Sequence, residues 1–160
     1  MNIDLYRSCV GIAVINNKKQ LFVAERKDTI YKTGSEKRTL CWQMPQGGIE
    51  LNESVIIAAK RELKEETNIS STNLIDSIDE WLFYDIPKEI IPKHWHNKYI
   101  GQKQKWFLME FTGNDAEINI HGLDAEFTSW RWLEASELLA NTIPFKRDIY
   151  KKVLTTFKLI

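Results

Sequence analysis

An excess of either charge is missing from this chain: 22 Lys and Arg stand against 22 Asp and Glu in 160 residues. That balance excludes a protein that coats long nucleic acid by general electrostatics, while a local basic site stays open. Cysteine is scarce too. Cys9 and Cys41 lie in apolar surroundings without CxxC spacing or neighbouring histidines, which argues against a disulfide framework or zinc site and for a reducing, cytoplasmic setting. No apolar run approaches the roughly 20 residues of a membrane-spanning helix. The opening MNIDLYRSCVGIAVINNKK has no basic region ahead of its short apolar run, so the expectation is a soluble, unprocessed protein. What is present is 43% hydrophobic residues, enough for one domain over residues 1–160 with its own core.

The pattern along the chain predicts strands first. Ser8 to Ile15 is β-branched, Asn16 to Lys19 offers turn chemistry and Leu21 to Ala24 is apolar again, which together predict a β-hairpin. Lys27 to Arg38 is polar and aperiodic and is expected to be an exposed loop before a short strand around Leu40 to Met44. From Asn52 the period becomes helical, with Ile56, Ala59 and Leu63 on the core side, until Asn68 ends the helix in a left-handed conformation. Strands are expected over Asp76 to Tyr84, Lys105 to Phe111 and Thr128 to Leu133, the last with Trp130 and Trp132 on one face. Helices follow over Glu134 to Ala140 and Phe145 to Lys158. Without regular βαβ alternation or repeats, the fold class is α+β, or an α/β/α sandwich around a central mixed sheet.

One segment concentrates acid: GGIELNESVIIAAKRELKEETNI, from Gly47 to Ile69. On a helix Glu62, Glu65 and Glu66 share a face and repel one another, at roughly 0.2–0.5 kcal/mol per pair. A solvated acidic face would tolerate that cost. The surroundings say more: Gly47 and Gly48 allow close backbone approach and free a carbonyl, and Glu53 can reach back to pair with Arg61. Carboxylates with a backbone carbonyl form a hard, all-oxygen environment suited to Mg²⁺ or Mn²⁺, and Mg²⁺ completes its shell with water and phosphates. A polyphosphate substrate is therefore expected.

Gly47, five residues, Glu53, seven residues, Arg61-Glu62-Leu63, one residue, Glu65-Glu66, two residues and Ile69 reproduce the signature of the Nudix hydrolases, which the chain resembles. The departure is Asn68 where the signature has Gly. The resemblance implies the Nudix α/β/α sandwich and cleavage of a nucleoside diphosphate linked to another group. It implies about two or three Mg²⁺ or Mn²⁺ ions held by the Gly47 carbonyl, Glu62, Glu65, Glu66 and the distant Glu126, with a metal-activated water attacking phosphorus. Glu62 or Glu66 would serve as catalytic base, a choice the residues leave open. Gly48, Glu53 and Arg61 take structural roles.

Tyr6-Arg7, MPQGG at 44–48, WLFY at 81–84, GQKQKWFL at 101–108 and FKRD at 145–148 look like the bacterial RNA pyrophosphohydrolase branch of that family, over nearly the whole chain. The resemblance implies conversion of 5′-triphosphate or diphosphate RNA ends to 5′-monophosphate, which promotes mRNA decay, with Arg7 and Arg26 near the 5′ phosphates. It implies that Phe145 stacks on an RNA base and Lys146 makes a polar contact to it, sensible physics for an unpaired end. Strand alternation puts Lys103 and Lys105 on one face, where they can meet a phosphate chain together or simply guard an edge strand. The alternative reading is a dinucleoside polyphosphate hydrolase acting on diadenosine tetra- or pentaphosphate, with Tyr84 stacking on adenine. His94, His96 and His121 lack acidic or cysteine partners at ligand spacing and are expected to be structural or exposed. The expected working unit is a cytoplasmic monomer.

Overall fold

The computed structural model describes residues 2–26, 31–32, 38–39, 42–122 and 126–160. Strand β1 (Tyr6–Ile15) lies at the centre, parallel to β8 (Gly101–Phe111), and β8 pairs antiparallel with the edge strand β7 (Thr72–Asp85). On its other side β1 meets β2 (Leu21–Arg26) only at Ile15 and Leu21. Farther down it pairs with β6 (Gln46–Gly48), from Cys9 opposite Gly48 to Gly11 opposite Gln46. The expected hairpin therefore survives only at its turn. Past it β2 swings away to pair with β5 (Trp42–Gln43) and β9 (Phe127–Leu133). This divergence opens the gap that β6 and the helix after it occupy. In and just after the 27–38 segment, expected to be an exposed loop, Tyr31–Lys32 (β3) and Arg38–Thr39 (β4) pair as a separate ladder, and the rest of the segment lies outside the described residues.

Helix α1 (Val55–Thr67) covers one face of the sheet and α2 (Ala135–Ala140) and α3 (Arg147–Thr156) the other, which gives the expected α/β/α sandwich. Alternation divides the core. Val10, Ile12 and Val14 join Phe107 and Met109 against Ala58, Ala59 and Leu63 of α1. Ala13 and Ile15 join Trp106 and Leu108 against Leu138, Tyr150, Val153 and Leu154. Trp130 and Trp132 pack together on the α1 side, as expected. Among the described residues no helix is long and apolar enough to cross a membrane.

Helix α1 starts at the N-cap Ser54, whose Oγ accepts from the Ile57 amide at 3.4 Å. It ends at Asn68, at φ 63° and ψ 8°, where the left-handed cap donates its amide to the Lys64 carbonyl. The Asn68 side chain adds a bond from Nδ2 to the Glu117 carbonyl at 2.9 Å, and Ile69 folds back into the α1 core. Asn68→Gly exchanges that bond for a cheaper backbone conformation and is expected to stay within about 1 kcal/mol of the parent. Asn68→Val forces a β-branched residue into the same conformation and should lose about 1–3 kcal/mol in thermal melts. A Val variant melting with the parent would overturn this cap.

Candidate active site

The β6 and α1 elements meet where the sheet splays, and glycine makes the contact possible. A Cβ on Gly47 would overlap the Glu62 carboxylate, and one on Gly48 would overlap the Arg7 guanidinium. Both glycines serve close approach, since neither has a positive φ. Arg61 ties the loop to the helix. Its Nε and Nη2 donate to the two carboxylate oxygens of Glu53 at 2.7 and 2.8 Å, and Nη2 also donates to the Gly48 carbonyl at 2.9 Å. Its Nη1 spans Glu62 at 3.0 Å and Glu65 at 3.3 Å. The guanidinium thus relieves part of the repulsion along the acidic face.

The Arg61 hydrogen bonds hold the Glu53 carboxyl down to about 2 from an ordinary 4.5. A carboxylate whose folded pKa lies below its unfolded one stabilises the protein above the unfolded value and ceases to as pH falls to the folded one. Glu53→Gln is therefore expected to melt below the parent at neutral pH. The gap should close between pH 4.5 and about 2, as thermal melts across that range would register. A gap independent of pH would contradict the ion pair.

Glu62 and Glu66 face a cavity of about 250 Å³ together with Gly47, Gly48, Glu126, Arg7, Arg26, Gln46, Gln102, Pro92, His94 and Trp95. Burial pushes the Glu62 carboxyl up against the pull of Arg61. Burial, then the charges of Glu126 and Glu62, push Glu66 well above the usual carboxylate range. Two cations line the same cavity. Arg7 lies under Trp95, its Cζ 5.9 Å from the ring centroid, and Arg26 pairs with Glu126 at 3.3 Å.

The expected residues do not all converge. Glu65 points outward, 59% exposed, as a partner of Arg61 and outside the cavity lining. Lys103 and Lys105 share a face as alternation predicts, but that face turns away from the cavity and their ammonium groups sit over Trp81, at 4.9 and 5.1 Å. Tyr84, expected to stack on adenine under the alternative reading, is 8% exposed with Phe145 stacked on its ring at 5.9 Å. Phe145 itself packs against the α3 core while lining a neighbouring cleft. Lys146, expected to make a polar contact to a base, is 6% exposed, and its Nζ donates to Gln43 at 2.8 Å and Gln46 at 3.1 Å beneath the site.

Sequence reasoning missed the amide cluster into which Lys146 donates. Gln104 Nε2 donates to Gln102 Oε1 at 2.9 Å and Gln46 Oε1 at 3.2 Å, and Trp106 Nε1 donates to Gln104 Oε1 at 3.0 Å. The alternation in GQKQKW was the signal, because it sends both glutamines and the tryptophan to one face. Nothing in the sequence marked Pro92, His94 and Trp95 as cavity lining. His94 is exposed, as expected, but at the mouth of the site.

Buried helix carboxylates, tied through an arginine to a glycine loop and sharing a cavity with two further arginines, define a hydrolase for phosphoanhydride bonds. The chain belongs to the Nudix family: the NUDIX domain model matches residues 5–153. An RNA pyrophosphohydrolase from Roseobacter denitrificans is 44% identical over 155 residues, covering 96% of this chain and 92% of that protein. Another from Bradyrhizobium diazoefficiens is 43% identical over 97% of this chain and 93% of its own length. Among solved structures, the E. coli dihydroneopterin triphosphate pyrophosphohydrolase superposes with a TM-score of 0.68 at 19% identity, over 95% of this chain and 99% of that one. A C. elegans Ap4A hydrolase gives 0.63 at 18%, with the same coverage of each chain. These two likenesses concern the fold alone.

Nudix hydrolases generally use divalent ions such as Mg²⁺ or Mn²⁺, and the residues here fit one. Among the described residues no group of three or more His, Cys, Asp or Glu is arranged as a finished metal cage. Arg61 stands between Glu62 and Glu65. Yet the Glu66 Oε2 atom is buried without a hydrogen-bond partner, in reach of two other carboxylates. An orphaned carboxylate oxygen of that kind is a costly arrangement that a hard cation resolves.

Proposed function

We propose that this protein is an RNA pyrophosphohydrolase that converts 5′-triphosphate or diphosphate RNA ends to 5′-monophosphate ends and so promotes mRNA decay. The observation that carries this reading is one cavity lined by the carboxylates Glu62, Glu66 and Glu126 together with the guanidinium groups of Arg7 and Arg26. A polyphosphate needs both, a cation-holding wall for its bridging oxygens and guanidinium forks for its terminal ones. The relatives' similarity along nearly the whole chain supports RNA as the substrate. The same reading includes a single domain over residues 1–160, acting as a cytoplasmic monomer.

In this mechanism the Gly47 carbonyl, Glu62, Glu65, Glu66 and Glu126 would hold about two or three Mg²⁺ or Mn²⁺ ions. Bound there, the ions supply positive charge to the phosphate oxygens and lower the pKa of an attacking water. Arg61 keeps Glu62 and the glycine loop in register through its bonds to Glu53 and the Gly48 carbonyl. Glu65 points outward as a partner of Arg61, and leaving Arg61 would bring it to the ions. Arg7, braced by Trp95, and Arg26 orient the phosphates. Glu62 or Glu66 accepts the proton from water. Lys146 and the Gln43, Gln46, Gln102 and Gln104 amides hold the floor of the site rigid.

Rates on 5′-triphosphorylated RNA and diadenosine tetraphosphate, measured side by side, test the assignment. RNA should be preferred in kcat/KM by at least ~10-fold, about 1.4 kcal/mol of transition-state discrimination. A preference for the dinucleotide would hand the site to the alternative reading, even though Tyr84 is covered by Phe145.

A further inference from the structure

We propose that Lys103 and Lys105, with Lys98 and the rings of Trp81 and Tyr99, form a track for the single-stranded RNA backbone downstream of the 5′ end. The proposal rests on RNA being the substrate. Strand β8 holds an anomaly. That strand is central, hydrogen-bonded to β1 on one side and β7 on the other, so its lysines guard no edge. Lysine in an interior strand is uncommon and calls for a use.

Both side chains are half-buried, with their ammonium groups over one indole at 4.9 and 5.1 Å. Among the described residues neither forms an ion pair with a carboxylate. Alternation turns them away from Gln102 and Gln104, which belong to the catalytic side, so the terminal phosphates are not their partners. They lie next to that site all the same. Lys103 lines a basin of about 730 Å³ with Arg7, Lys98, Tyr6 and Tyr99, and Arg7 also lines the catalytic cavity. Lys98 stands over Tyr99 at 5.2 Å. The acids of the basin are Asp4 and Glu50, and Glu50 faces Arg61 at 3.8 Å.

Continuity through one guanidinium, three lysines and interleaved aromatic rings is the chemistry of a single-stranded nucleic-acid groove. The cations follow the phosphodiesters while rings offer stacking surfaces to bases of any sequence. A strand entering the catalytic cavity by its 5′ end would leave across Arg7 and run over the basin toward Trp81.

Fluorescence anisotropy with a 5′-hydroxyl single-stranded RNA of about 15 nucleotides reads the track without any cleavable end. Lys103→Gln/Lys105→Gln removes both charges and leaves flexible polar side chains beside Trp81, and circular dichroism shows whether the fold persists. Binding should weaken about 10-fold, and the salt dependence, log K against log[salt], should flatten by about 1.4, two phosphate contacts at about 0.7 each. Lys98→Gln should flatten it by about 0.7. In a second arm, kcat/KM on a 5′-triphosphorylated RNA of about 15 nucleotides should fall roughly 10-fold more than on a triphosphorylated dinucleotide. Unchanged binding by the double variant overturns the track, and so does an equal loss on both lengths. A wild-type protein that bound the 5′-hydroxyl RNA through these lysines but cleaved neither substrate would sustain the track and remove the pyrophosphohydrolase reading instead.

Discussion

Glu66→Gln is expected to lower kcat by at least ~10²-fold and, in EDTA at pH 8, to raise the melting temperature. The two effects have one origin. Glu66 Oε2 is buried without a hydrogen-bond partner, and burial together with Glu126 and Glu62 pushes its carboxyl well above the usual range. A carboxyl raised on folding destabilises the ion-free protein wherever it is ionised, above its folded pKa. The cost fades as pH falls through that value toward 4.5. The neutral amide escapes this cost, so the variant should melt above the parent at pH 8 and converge with it in acid. Saturating Mg²⁺ should reverse the order, because a ligand that binds only the folded state stabilises the parent by mass action. Full activity with no change in melting behaviour would dismiss the site.

Gly47→Ala should be nearly as damaging, with a loss of roughly 10²-fold, although it removes no functional group. The new Cβ would occupy the volume of the Glu62 carboxylate, and the displaced atoms belong to a side chain held by Arg61. Either Glu62 is expelled or β6 shifts against β1. A displacement of about 1 Å at reacting groups is enough for a loss of that size. Gly48→Ala is the control. Its Cβ meets the far end of Arg7, a longer and more adaptable side chain, so KM should rise with kcat less affected. Wild-type rates for Gly47→Ala in a folded protein would mean that the approach of β6 to α1 is not required.

Much of this site is legible in the sequence. Helical spacing alone put Glu62, Glu65 and Glu66 on one face, and the reach of Glu53 to Arg61 followed from the turn between them. The left-handed cap at Asn68 was likewise local, since few residues other than Gly and Asn adopt that backbone cheaply. Period-2 alternation correctly separated Lys103 and Lys105 from Gln102 and Gln104. It did not say which face looks into the cavity. That depends on β8 lying between β1 and β7, a pairing across many intervening residues.

Local chemistry thus determined which segments become helix or strand, which side chains share a face and which carboxylates an arginine can reach, because those interactions act within a few residues. Long-range packing decided the rest. The divergence of β1 from β2 opened the place for β6, the packing of the 144–146 turn against the sheet buried Lys146 and Tyr84, and the 92–95 turn brought His94 and Trp95 to the cavity. Exposure is a property of what a distant segment covers, and no pattern along the chain encodes it one residue at a time.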